Sequence, residues 1–124
     1  MAGVSTAYVA VVDDEAPVRT ALRRLLRLAG YEVATFDDGD ALIASVGARR
    51  PDCVVLDVQM QGLTGFDVQA RLNAAGWRIP IVFITASDDP DLEEAVRNAG
   101  GTVLLRKPFS KDALLDAVAN ALRP

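Results

Sequence analysis

The chain has no histidine and a single cysteine, Cys53, so its chemistry falls to carboxylates, hydroxyls and two lysines. Without histidine there is no Ser-His-Asp or Cys-His nucleophile, no imidazole metal ligand and no phosphohistidine. One cysteine forms neither an internal disulfide nor a cysteine-based zinc site, and at the head of an apolar run it reads as a small core residue. The polar groups that could work together stand just past apolar runs: Asp13 and Asp14 after Tyr8–Val12, Asp57 after Cys53–Leu56, Thr85 after Ile81–Ile84, and Lys107 soon after Leu105. Three carboxylates in one place repel each other, and a divalent cation relieves the repulsion; an all-oxygen site suits Mg²⁺ or Mn²⁺. An ammonium and a hydroxyl beside that centre could hold the oxygens of a phosphoryl group, leaving one carboxylate as the nucleophile. Lys107 is distinctive by type, because 11 of the 13 basic residues are arginine and a compact ammonium is not interchangeable with a guanidinium fork. Taken singly each residue is ordinary, since a strand-end aspartate such as Asp57 often only caps the loop that follows.

Whether they meet depends on the elements that carry them. Tyr8–Val12 reads as a buried strand, and Pro17 suits the first turn of a helix because it has no N–H to lose there. Val18, Leu22, Leu25, Leu26 and Ala29 form one apolar stripe on that helix, with Arg19, Arg23, Arg24 and Arg27 off it as a solvated face and Gly30 as its stop. Tyr31–Phe36 reads as a second strand with one more exposed face. Asp37-Asp38-Gly39 supplies a turn and cap for a short helix carrying Ala41, Leu42 and Val46. Cys53–Leu56 is the third strand, and Gly62 and Gly65 mark the loop leaving it. A third helix over residues 65–75 carries Phe66, Val68 and Leu72. Ile81–Ile84 is the fourth strand, followed by a helix running to about Ala99 with Leu92, Ala95 and Val96 as a thin apolar side. Residues 102–105 form the fifth strand, and Ser110 caps a last helix holding Leu114, Leu115, Val118 and Leu122.

Five strongly apolar strands alternating with amphipathic helices require a parallel sheet covered on both faces. With right-handed crossovers the expected architecture is an α/β, flavodoxin-like doubly wound (βα)5 fold, strand order 2-1-3-4-5. In that order the C-terminal strand ends share one edge, and ligands bind at the switch between strands 1 and 3. The fold therefore predicts one pocket containing Asp13, Asp14, Asp57, Thr85 and Lys107. Asp57 lies at its centre.

Four segments at these spacings resemble one family: Val11-Val12-Asp13-Asp14-Glu15, Leu56-Asp57-Val58-Gln59-Met60 leading to Gly65, Ile84-Thr85-Ala86, and Lys107-Pro108-Phe109. The chain is similar, over Tyr8 to Leu122, to the receiver domain of two-component response regulators, and most similar to the nitrogen-fixation regulator type. The resemblance implies that Asp57 accepts a phosphoryl group from a phosphohistidine on a sensor histidine kinase. It implies Mg²⁺ held directly by Asp14 and Asp57, by Asp13 through water and by the backbone carbonyl of Gln59. Lys107 would pair with the phosphoryl group, the Lys107-Pro108 peptide would be cis, and Thr85 would swing toward the phosphoryl oxygens. Ala86 would leave room for the phosphoryl group, while Gln59 and Ser87 would tune hydrolysis of the acyl phosphate. Three positions depart from the family pattern: Gln61 replaces a common Pro, which implies a more mobile loop; Gly101 replaces a common Ala; and Leu104 replaces the Tyr or Phe that usually switches with the threonine.

The chain of 124 residues, 51% hydrophobic and 24% charged, has the balance of one globular domain, with residues 8–122 as its core and 1–7 as a short tail. A net charge of −4 argues against nucleic-acid binding by this segment. No membrane-length apolar stretch or signal-peptide pattern occurs, which predicts a cytoplasmic location. Expected partners are the kinase, an output domain (DNA-binding, as in a transcription factor) beyond residue 124 of the native gene, and a second copy. Such a phosphorylation-dependent homodimer would use the face of the fourth helix, fifth strand and last helix, with Arg97, Arg106 and Asp112 as candidate contacts. The expected role is a signalling switch that assists its own phosphorylation and slow autodephosphorylation. Three alternatives fit less well. A metal-dependent phosphatase with an Asp nucleophile needs a second acid where Gln59 stands. A flavodoxin-like electron carrier needs a hydroxyl- and glycine-rich loop where Asp13-Asp14-Glu15 stands. A degenerate receiver acting only as a binding module would not retain all five polar groups.

Overall fold

The computed structural model describes residues 6–101 and 103–123. The elements alternate as β1 (Tyr8–Val12), α1 (Ala16–Leu28), β2 (Glu32–Phe36), α2 (Gly39–Val46), β3 (Cys53–Asp57), α3 (Gly65–Ala74), β4 (Ile81–Thr85), α4 (Leu92–Asn98), β5 (Val103–Arg106) and α5 (Lys111–Ala121). All strands are parallel, in the order β2-β1-β3-β4-β5. This is the doubly wound sheet that the strand–helix alternation predicts.

β1, β3 and β4 are buried along their whole length, which explains why their sequences are continuous apolar runs rather than alternations. The edge strands β2 and β5 are only half-buried. Because side chains alternate along each strand, the sheet divides two cores. On one side Ala10, Val12, Val54, Leu56 and Phe83 meet α2, α3 and α4 through Leu42, Val46, Val68, Leu72 and Val96. On the other, Val9, Val11, Val55, Val82 and Ile84 meet α1 and α5 through Leu22, Leu26, Leu114 and Val118.

Among the described residues, three of the five helices, α2, α3 and α5, start at a capping side chain. Asp38 accepts from the Ala41 N–H, Ser110 from the Ala113 N–H, and Thr64 and Asp67 form a reciprocal capping box. Gly30, Gly62, Gly76 and Gly100 have positive φ, and Gly30 stands where the α1 stripe was expected to stop. The stripe itself ends sooner than its periodicity suggests. Leu22 and Leu26 are buried, but Ala29 is exposed as the C-cap. Arg106 belongs to β5 rather than to the loop beyond it, and Thr102, expected to open that strand, lies outside the described residues. So do residues 1–5 of the expected tail.

The three departures from the family pattern have local physical settings. A Cβ on Gly101 would lie 2.9 Å from both the Phe83 ring and a Val96 methyl, so the room an alanine would use is already filled. Gln61 retains the N–H that a proline lacks and donates it to Asp14 Oδ2 at 3.3 Å, which tethers the loop instead of freeing it. Leu104 pairs in register with Phe83 and packs from β5 on the α4 side of the sheet. Beside it, a cleft of about 340 Å³ is lined by Glu93, Val96, Arg97, Val103 and Leu104.

Candidate functional site

Each residue of the predicted pocket leaves the C-terminal edge of its strand. β1 ends at Val12 and delivers Asp13 and Asp14, the last residue of β3 is Asp57, the last of β4 is Thr85, and β5 leads into Lys107. Parallel pairing aligns these ends: Asp57 is registered with Ile84, and Thr85 with Arg106. The Lys107 N–H continues the ladder to the Thr85 carbonyl at 2.7 Å, after which the cis Lys107–Pro108 peptide turns the chain toward α5. The expected cis bond is present.

Lys107 Nζ lies 2.8 Å from Asp13 Oδ2, 3.5 Å from Asp57 Oδ2 and 3.9 Å from Glu15 Oε1. Asp13 is fully buried, and its other oxygen accepts the Glu15 N–H at 2.9 Å. Asp57 is 4% exposed, and its Oδ1 accepts the Gln59 N–H at 3.1 Å. Asp14 is exposed at the mouth. Carboxylate oxygens of Asp13, Asp14 and Asp57 lie within 4.8 Å of one another. Three hard oxygen donors at that spacing, without nitrogen or sulfur, fit a hard divalent cation.

Burial pushes Asp57 up to about 6; the Gln59 N–H opposes this, the Asp13 charge adds to it and Lys107 draws it back. For Lys107, burial pulls the ammonium down, but the bond to Asp13 and the charges of Asp57, Asp13 and Glu15 outweigh it, so its pKa is raised. The lysine is thus a fixed positive charge, whereas Asp57 is a carboxylate near the margin of ionisation that a second cation would make fully anionic.

Thr85 is fully buried, and its Oγ1 accepts the Ser87 N–H at 3.0 Å. Ser87 is half-buried and Ala86 is exposed on the same loop. Gly65 permits the closest approach in the site, since a Cβ there would lie 2.6 Å from the Asp57 carbonyl oxygen. The Gly65 N–H also donates to the Val58 carbonyl at 2.9 Å, fixing the end of the loop to the residue just past β3. Pro108 is exposed, and Leu104 lies further back along β5 against the core rather than in the pocket.

Sequence reasoning missed three contributors. Glu15 reaches Lys107 and donates its N–H to Asp13. The Arg19 guanidinium donates to the Asp13 carbonyl at 2.7 Å, so one arginine of the assumed solvated face pins the acidic loop. Arg106 donates to the Ser87 and Asp89 carbonyls at 2.8 and 2.9 Å, which engages a group expected to face a second copy. Glu15 adjoined the acidic pair and was findable; bonds from a side chain to a backbone carbonyl leave no sequence signal.

Known proteins resemble this chain in sequence and fold. The family model described as the response regulator receiver domain matches residues 9–119. The C4-dicarboxylate transport transcriptional regulatory protein DctD of Pseudomonas aeruginosa is 38% identical over 114 residues, 92% of this chain and 25% of that protein. The transcriptional regulatory protein TdiR of Thauera aromatica is 40% identical over 113 residues, 90% of this chain and 49% of that protein. The chain thus spans about half, or less, of the length of these relatives. Among solved structures, a response regulator receiver protein from Burkholderia phymatum superposes with a TM-score of 0.85 at 44% identity, covering 94% of this chain and 95% of that one. The Vibrio cholerae chemotaxis protein CheY4 gives 0.86 at 32% identity, covering 95% and 100%. With the family match spanning residues 9–119 and the strand order 2-1-3-4-5 of a doubly wound sheet, this chain belongs to the response regulator receiver domain family.

Proposed function

We propose that Asp57 is the phosphoacceptor of this signalling switch and that the transfer is Mg²⁺-dependent. The observation that carries the reading is the convergence of Asp13, Asp14 and Asp57 within 4.8 Å, with the Lys107 ammonium 3.5 Å from Asp57. Asp57 and Asp14 would hold the ion directly, Asp13 through water, and the Gln59 carbonyl would complete the protein ligands. When bound, the cation neutralises the oxygens of the entering phosphoryl group and keeps Asp57 ionised. A carboxylate oxygen of Asp57 attacks phosphorus in line with the departing nitrogen of a kinase phosphohistidine. Lys107 then pairs with a phosphoryl oxygen. Thr85 gives up its present bond from the Ser87 N–H and donates its hydroxyl to another oxygen, beside the small side chain of Ala86. Slow autodephosphorylation, tuned from Gln59 and Ser87, returns the switch to rest.

The unit that does this is a single receiver domain with residues 8–122 as its core, located in the cytoplasm; among the described residues no helix is long and apolar enough to cross a membrane. Its partners are a sensor histidine kinase and an output domain, DNA-binding in character. The support is the relatives' names as transcriptional regulators and the fraction of their length that this chain spans. The phosphorylated form pairs with a second copy through α4, β5 and α5, where Arg97 and Asp112 are exposed.

Incubation with acetyl phosphate and Mg²⁺ tests the central claim. Intact-mass measurement is expected to show one added phosphoryl group in the wild type and none in Asp57→Ala or in chelator. A wild type that stays unmodified would overturn it.

A further inference from the structure

Arg106 is two residues beyond Leu104, so on a strand both side chains emerge on the same face. That is the α4 side, next to the cleft beside Leu104. The Arg106 guanidinium is half-buried and spans the β4–α4 loop: Nη1 donates to the Ser87 carbonyl at 2.8 Å, Nη2 donates to the Asp89 carbonyl at 2.9 Å, and Nη2 lies 3.7 Å from Glu93 in the first turn of α4. Ser87 is in turn the residue whose N–H holds the Thr85 hydroxyl oxygen, and Thr85 is registered with Arg106 across the two strands. One planar cation therefore touches both the loop that fixes Thr85 and the helix that begins after it.

We propose that Arg106 is a positioning residue that latches the β4–α4 loop and couples the Thr85 hydroxyl to α4, a task for which Leu104 has no polar group. The proposal rests on the reading of Asp57 as phosphoacceptor. For Thr85 to turn toward a phosphoryl group, the Ser87 N–H must release its oxygen. Ser87 cannot move freely while its carbonyl is held by Arg106. The same guanidinium holds Asp89, whose carbonyl receives the Leu92 N–H at the start of α4 and whose carboxylate caps the Asp91 N–H. Moving Ser87 therefore strains or breaks the fork, and α4 loses its tie to β5 in the same step. The fork geometry is essential, because a lysine could satisfy one carbonyl but not both in plane.

Hydrogen exchange and phosphorylation rates of the full chain, in the wild type, Arg106→Lys and Arg106→Met, test this. In the resting state, Arg106→Met is expected to exchange the amides of Ser87 and Leu92 roughly tenfold faster, since charge-assisted bonds hold the loop, while β1 and β3 amides stay as slow as before. Arg106→Lys should fall between. With acetyl phosphate and Mg²⁺, Arg106→Met should label faster than the wild type, and the phosphorylation-induced change in α4 exchange seen in the wild type should vanish. Unchanged resting exchange at Ser87 and Leu92 in Arg106→Met would overturn the latch, as would an α4 response equal to the wild type's. Failure of the wild type to label refutes the phosphoacceptor reading; the resting exchange comparison still decides whether Arg106 holds the loop.

Discussion

At the residue scale, Asp57 carries a cost that its neighbours are arranged to relieve. It is almost fully enclosed, and burial raises its pKa from 3.8 to about 6. The unfolded chain ionises this carboxyl more readily than the folded one, so the folded state loses stability as pH rises through about 6. The shift corresponds to an upper bound of about 3 kcal/mol at neutral pH, and water at the pocket mouth screens it to roughly 1–2 kcal/mol. Asp57→Asn in chelator should therefore be more stable than the wild type by that amount at pH 7.5. Below about pH 3 Asp57 is mostly protonated in both states and the gain should fade. Urea titrations at both pH values check this, and equal stabilities at pH 7.5 would contradict it. A charge that destabilises the metal-free fold agrees with the phosphoacceptor role proposed for Asp57 better than with a loop cap.

At the element scale, strand and helix types were legible because burial repeats with the period of each element. Tyr8–Val12 and Ile81–Thr85 are apolar throughout, since both faces of the sheet are covered. Legibility failed where a neighbour distant in sequence decides the outcome. Ala29 continues the α1 period yet is exposed, because Leu26 already reaches the sheet and the helix ends two residues later. Thr64 and Asp67 did carry a readable capping signal. The candidate pocket was legible in five residues because parallel strands deliver their ends to one edge, whereas Arg19 and Arg106 were not, since their acceptors are backbone carbonyls. Gly101 shows the same limit: the positions of Phe83 and Val96 explain it. An alanine there would sit 2.9 Å from the Phe83 ring and from Val96, and the Phe83 ring is itself packed on Phe66 at 5.2 Å between centroids. Gly101→Ala should cost about 1–3 kcal/mol by overpacking. In the Phe83→Leu background the same change should cost less, with a coupling of at least about 0.5 kcal/mol by denaturant unfolding. Equal costs in both backgrounds would remove Phe83 as a reason.

At the scale of the whole molecule, the polar edge is where the sheet, the loops and the charge balance meet. Asp13 just past β1 and Asp57 at the end of β3, two adjacent interior strands, are buried, while Asp14 faces solvent, so a cation bound among them would join two strands and one exposed acid into one unit. Anything that binds only the folded state stabilises it by mass action, about 2.7 kcal/mol at a hundredfold excess over Kd. For a domain of this size that corresponds to a rise in Tm on the order of 10 °C. Mg²⁺ should therefore raise the Tm of the wild type at pH 7.5, and Asp57→Asn should lose most of the increment. The proton and the metal compete for Asp57, whose metal-free pKa is about 6, so the sign of the pH effect is fixed. Apparent Mg²⁺ affinity should be steady well above pH 6 and weaken as pH falls through it, because each binding event then has to displace a proton. Differential scanning fluorimetry across Mg²⁺ concentrations at pH 5.5 and 7.5 reads both terms. A Tm increment equal at the two pH values would mean that the ion does not contact Asp57, and would separate the acidic cluster from the phosphoacceptor role.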